Sequence, residues 1–105
     1  MSQLAKLPLK HADLVRLIKE AAADSANVFF SEHAQERLVE RDISTTEVID
    51  CLRHGRIQEG PAQSPRGNWE FKVSRYCSGQ SISVAGALEL DEDGNHIIVI
   101  TTYRG

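Results

Sequence analysis

The sequence predicts an α+β domain, with helices packed on one face of a twisted antiparallel sheet of about four strands. Apolar residues recur at helical spacing up to His54, and from Arg56 onward the period shortens to two. The run Trp69-Glu70-Phe71-Lys72-Val73-Ser74 alternates strictly between apolar and polar. The helical segments precede this meander instead of alternating with its strands, so the expected chain order is helix, short strand, two helices, sheet.

Residues 9–23 form the first helix, with Leu14, Leu17, Ile18 and Ala21 on one stripe and Asp13, Arg16, Lys19 and Glu20 on other faces. The break Asp24-Ser25-Ala26-Asn27 leads into Val28-Phe29-Phe30, a short apolar strand or extended bridge. Ser31 is the N-cap of the next helix, which ends near Arg41-Asp42. Ser44-Thr45-Thr46-Glu47 is a capping box for a third helix, with Val48, Ile49 and Leu52 as its core stripe and Cys51 beside them. Ile43 pins the connection between those two helices, and Gly55 is expected in the left-handed position that ends the third. Arg56 to Glu59 is then a short strand, and Gly60 to Asn68 a long loop rich in turn formers. Trp69, Phe71 and Val73 point inward on the next strand, while Glu70, Lys72 and Ser74 face out. After a turn at Cys77-Ser78-Gly79-Gln80 comes a strand from Ser81 to Leu90, with a bulge suggested by Gly86. Asp91-Glu92-Asp93-Gly94-Asn95 signals a hairpin, and the apolar run Ile97-Ile98-Val99-Ile100 predicts a central strand covered on both sides.

A chain of 105 residues supports a single domain, residues 1–105, with one modest core. With no apolar run of membrane-spanning or signal-peptide character, a cytoplasmic location is expected. Cys51 and Cys77 are too few and too far apart for a disulfide framework or a zinc spacing, so both are expected as reduced thiols and no metal or cofactor is expected. The net charge of −3 bears on partners. A protein that grips nucleic acid by its phosphates is usually basic overall, so only a local patch can do that here.

On the second helix His33, Arg37 and Arg41 follow at spacings of four. Each such step advances about 40° around the axis, so the three share one stripe roughly 80° wide, beside the apolar Ala34 and Leu38. Cations held at the edge of an apolar face bind phosphate or carboxylate more strongly than scattered surface charges do. Glu36 and Glu40, each three residues from a member of the stripe, offer the plainer reading of a self-neutralised helix surface. Cys51 and His54 are placed to touch one metal ion, but two ligands do not make a site. No phosphate-cradling glycine loop, metalloprotease histidine pair or glycine-flanked serine is present.

The remaining residues suit acid–base cleavage of RNA without metal. That reaction needs a base for the 2′-hydroxyl proton, cations for the phosphorane charge and a donor for the leaving oxygen. His33 or Glu70 is the candidate base. Arg37, Arg41, Lys72 and Arg104 are candidates to hold the phosphate, and Tyr103 to stack on a base or orient the ribose.

The run Phe30-Ser31-x-His33-x-x-x-Arg37-x-x-x-Arg41-x-Ile43-Ser44-x-x-x-Val48 and the closing Ile100-Thr101-x-Tyr103-Arg104 resemble a bacterial domain-of-unknown-function family with a His-x-x-x-Arg-x-x-x-Arg helix signature. More distantly, the chain resembles RelE-like toxins of the MqsR-like kind. The resemblance implies a RelE-like fold and an endoribonuclease that cleaves mRNA as the toxin of a type II toxin–antitoxin system. It also implies a cognate antitoxin of the zinc-binding, MqsA-like type as partner. Under it, Trp69-Glu70-Phe71-Lys72-Val73 is similar to a toxin segment in which Glu70 falls at a functional glutamine. Tyr103-Arg104 falls where such toxins place aromatic and basic catalytic residues. The middle strand has Ile82-Ser83 where a tyrosine is expected.

Two readings stand beside the nuclease. In one, the same fold binds a protein or RNA partner without cleaving it. In the other, the His/Arg stripe is structural and ties the helix to the C-terminal strand. The direction in which the arginines point separates them.

Overall fold

In the computed structural model, which describes residues 10–77, 79–92 and 94–104, the helices come first and most of the sheet follows. The elements are α1 (His11–Ala22), a 3-10 turn (Ser25–Asn27), β1 (Val28–Phe30), α2 (Glu32–Arg41) and α3 (Thr45–His54), then β2 (Arg56–Gln63), β3 (Trp69–Cys77), β4 (Gln80–Glu89) and β5 (His96–Arg104). The start of the expected first helix, at Leu9, lies outside the described residues.

The class is α+β, but the sheet is larger than expected and mixed. Among the described residues five strands lie in the order β1-β5-β4-β3-β2. The fifth is β1, which runs parallel to β5 with Val28, Phe29 and Phe30 opposite Ile97, Ile98 and Val99. Local sequence pattern carries no signal for that pairing, because its partners sit at opposite ends of the chain. The β2 strand also runs past the expected end at Glu59, through Gly60 and Pro61 to Gln63. It does so as an outer edge strand with irregular register on either side of Glu59, where a proline without an N–H is tolerated.

The helices end and begin as their sequences dictate. The Ser31 hydroxyl accepts the Ala34 N–H, and Ser44 and Glu47 close a reciprocal capping box. Asp42, not a glycine, takes the left-handed position after α2, at φ 53°. Gly55 is instead extended, at φ −75°, so it is not there for handedness. A Cβ on Gly55 would stand 2.5 Å from the Cys51 carbonyl oxygen and 2.7 Å from that of Ser74. The reason for glycine is close approach of α3 to β3. The C-termini of α1 and α3 cap each other: Arg53 donates to the Ala22 and Ala23 carbonyls, and Lys19 donates to those of Arg53 and Gly55.

Leu14, Leu17 and Ile18 of α1, Leu38 of α2, and Val48 and Leu52 of α3 pack in one core with Phe71, Val73, Val84, Leu88, Ile97 and Val99 of the sheet. Ile43 is buried between α2 and α3 as expected. Among the described residues only one face of β5 is covered. Ile97 and Val99 are buried against the helices, whereas Ile98 is half-buried and Ile100 is exposed on the other face, which corrects the expectation of cover on both sides.

A bulge sets which residues emerge near the end of β5. Gly86 pairs with Val99 but Ala85 pairs with Thr101, so Ile100 is the extra residue. The inward parity of Ile97 and Val99 therefore continues at Thr102 and Arg104, opposite Val84 and Ile82. Tyr103, opposite Ser83, lands on the uncovered face. Gly86 is needed there, because a Cβ would stand 3.0 Å from the Ile98 carbonyl oxygen.

Two outcomes test this packing. Gly55→Ala should lower stability by about 1–3 kcal/mol in urea unfolding, since backbone rather than a flexible side chain must yield. The Cys51 thiol is pushed up to about 12, mainly by burial and secondarily by Asp50. The unfolded thiol ionises near 9.0, so the folded state then holds the extra proton and its stability falls from about pH 9 upward. Cys51→Ala should flatten that alkaline slope, read from urea midpoints between about pH 8 and 11.

Candidate functional site

The uncovered face of the sheet carries Glu70, Lys72 and Ser74 from β3, Ser81, Ser83, Ala85 and Ala87 from β4, and Tyr103 from β5, as the cross-strand register requires. Its middle is hollowed. One hollow, of about 530 Å³, is lined by Glu59, Glu70, Lys72, Ala85, Ile100 and Tyr103. A second, sharing Glu70 and Ile100, runs on over Ala87 and Ile98 to the β2–β3 loop at Arg66 and Asn68. Together they make a shallow trough with an apolar floor and polar walls.

At one end of the trough stands the Tyr103 ring, 42 % exposed. The Lys72 ammonium lies 5.0 Å from its centroid and the Arg41 guanidinium 5.5 Å. Such contacts each contribute about 0.5–1 kcal/mol at exposed sites and fix where the cations stand. Lys72 also has the Glu59 carboxylate at 3.5 Å, and Arg41 donates to the Thr102 carbonyl. Lys72, two carboxylates (Glu59 and Glu70) and an aromatic ring thus share one open surface, with Arg41 against that ring. This arrangement can bind a phosphodiester and stack a base beside it.

The structure divides the residues singled out from sequence. Glu70, Lys72 and Tyr103 line the trough, and Arg41 reaches the Tyr103 ring from α2. His33 is exposed on α2, and Arg37 is ion-paired with Glu40, the neutralising partner that the spacing offered. Arg104 is turned the other way. Its guanidinium donates to the carbonyls of Arg41 and Asp42 and to the Gln80 side chain, with Glu47 at 3.8 Å. It clamps the α2–α3 connection to the sheet. A chain-end Tyr-Arg pair puts neighbours on opposite faces, so Tyr103 and Arg104 were never able to serve one surface.

Cys51 and His54 do not converge either. The Cys51 thiol is buried against the Val73 and Ile82 carbonyls, whereas His54 is exposed near Asp50. Among the described residues no group of three or more His, Cys, Asp or Glu could hold a metal ion, and no helix is long and apolar enough to cross a membrane. Sequence reading missed the Phe29–His96 ring pair and the apolar floor of Ala85, Ala87, Ile98 and Ile100. An aromatic at the outward position of a short strand was the available signal.

Arg104→Ala should cost about 1.5–3 kcal/mol of stability, because the Arg41 and Asp42 carbonyls and the Gln80 side chain lose their charged donor. Lys72→Ala, which breaks an exposed pair, should stay within about 0.5 kcal/mol. Paired thermal melts check both, and equal losses would refute the division between clamp and open site.

The comparisons with known proteins bear on the same region. No curated protein and no solved structure matches the chain. A family model described as a domain of unknown function, DUF4258, matches residues 30–104, from the end of β1 through β5. That match takes in α2, the bulged strand and the trough, and the chain belongs to the DUF4258 family.

Proposed function

We propose that the chain is a metal-independent endoribonuclease of the RelE-like, MqsR-like toxin kind, cleaving mRNA, and that a cognate antitoxin restrains it. The observation that supports this reading is the Tyr103 ring flanked by Lys72 and Arg41, with Glu70 lining the same hollow. A single-stranded RNA laid in the trough stacks a base on Tyr103 and brings its phosphate to the two cations.

The chemistry follows from these groups. Glu70 takes the proton of a ribose 2′-hydroxyl, and the 2′-oxygen attacks the adjacent phosphorus. Lys72 and Arg41 stabilise the added charge of the phosphorane. The bond to the 5′-oxygen breaks, that oxygen takes a proton from the Lys72 ammonium, and the products are a 2′,3′-cyclic phosphate and a 5′-hydroxyl. His33 and Arg37 lie on α2 outside the trough and take no part in these steps. Arg104 acts through the clamp and not on the substrate.

A second reading, that this face binds a protein or RNA partner without cleaving it, draws on one observation. Lys72 is already offset by Glu59, and Arg41 is already engaged by the Thr102 carbonyl.

Induced expression in a bacterial host without partner, followed by growth and mRNA integrity, separates the two. The nuclease reading predicts arrest with cleaved mRNA. It predicts cleavage by the purified protein in EDTA, reduced about 100-fold or more in folded Lys72→Ala and Glu70→Gln variants. Normal growth and intact mRNA, with abundant soluble protein, would leave the binding reading.

A further inference from the structure

Beyond the trough, on the same sheet face, lies a feature that cleavage at Tyr103 does not use. Phe29 is the middle residue of β1 and 50 % exposed, on a strand whose neighbours Val28 and Phe30 turn toward the core. It stands opposite Ile98, on the uncovered face, and its ring lies 5.5 Å from that of His96 at an angle of 54°. From this pair the face runs over Ile98 and Ala87, past the wall at Arg66 and Asn68, to Ile100 and the Tyr103 end. A large aromatic held open to water beside a half-buried isoleucine has no role in the core. Exposed apolar surface of that kind, rimmed by polar groups, marks a place where something binds.

We infer that Phe29 and His96 form a second base-stacking platform, so that the face holds one extended single-stranded RNA segment between two aromatic ends. The inference rests on the proposed function and names the extent of its substrate. The span along β5 from His96 to Tyr103 is about 20 Å at strand rise. That length accommodates about four nucleotides, the lower end of single-strand site sizes on small β-domains. Cations stand along both stretches of the face, Arg41 and Lys72 at the Tyr103 end and Arg66 on the wall of the second hollow. Three carboxylates lie along the face, of which Glu59 is paired with Lys72 at 3.5 Å. Glu70 is the group the chemistry requires, and Glu89 is held by the Asn68 amide at 3.4 Å. Stacking on rings is tolerant of sequence, so this end sets length preference rather than base preference.

The test uses fluorescein-labelled oligouridylates of two and six nucleotides, methylated at every 2′-oxygen so that binding is read without cleavage. Fluorescence anisotropy at one fixed salt concentration measures the intact chain, its Phe29→Leu and Phe29→Trp variants and Tyr103→Ala, each checked for folding by circular dichroism. Phe29→Leu should weaken hexanucleotide binding roughly 5- to 100-fold, Phe29→Trp should retain it, and dinucleotide binding should be the same in Phe29→Leu as in wild type. Wild-type affinity of Phe29→Leu for the hexanucleotide, with Tyr103→Ala weakened, would overturn the second platform and leave the proposed function standing. No binding of either length to the wild-type chain would overturn both.

Discussion

The constraint on which this structure depends is the short length of β1. It stops at Phe30, opposite Val99, so among the described residues the rest of β5 has a strand, β4, on one side only. Unpaired strand edges are costly when buried and hazardous when exposed. Here the edge is handed over in steps. The Ser31 N–H bonds the Val99 carbonyl, the Ser31 hydroxyl bonds that of Ile100, and Arg41 at the far end of α2 bonds that of Thr102. One helix thus substitutes for the missing strand. Its cap serine and its last arginine are fixed by the needs of the sheet.

That handover also places the chemistry. Arg41 must reach the Thr102 carbonyl, which brings its guanidinium over the neighbouring Tyr103 ring. Arg104, of inward parity after the bulge, returns the contact by bonding the Arg41 and Asp42 carbonyls. The helix end and the strand end therefore hold each other from both faces. Because α1, α2 and α3 all contribute to one core on one side, the opposite face is left to Glu70, Lys72, Tyr103 and the apolar floor between them. A one-sided α+β layer makes such a surface available, and the sequence furnishes it with cations, carboxylates and aromatic rings.

Much of this was legible in the residues. Serine caps, the Ser44–Glu47 box and the strict alternation from Trp69 to Ser74 are local signals, and local physics decides them. Gly86 announced its bulge. What the bulge did to parity was not legible, since an extra residue can be assigned to one strand only when its partner strand is known. Strand alternation alone puts Tyr103 and Arg104 on opposite faces, and the bulge decides which of the two turns inward. The parallel pairing of β1 with β5 joins residues from opposite ends of the chain, and no periodicity encodes it. Gly55 marks the stop of α3 in the sequence, but the need for glycine there is crowding by Cys51 and Ser74, a tertiary fact, and not handedness.

The central claim is that the uncovered face of the sheet, and not the helical side, is the functional surface. Amide chemical shifts of the isotopically labelled protein, followed while a 2′-O-methylated single-stranded RNA is added, test this most directly. The account predicts shifts concentrated at Phe29, Glu70 to Ser74, Ala85 to Ala87 and Ile98 to Tyr103, with α1 and α3 unmoved. Shifts confined to α1, α3 and the Arg75–Arg104 side of the sheet would contradict it.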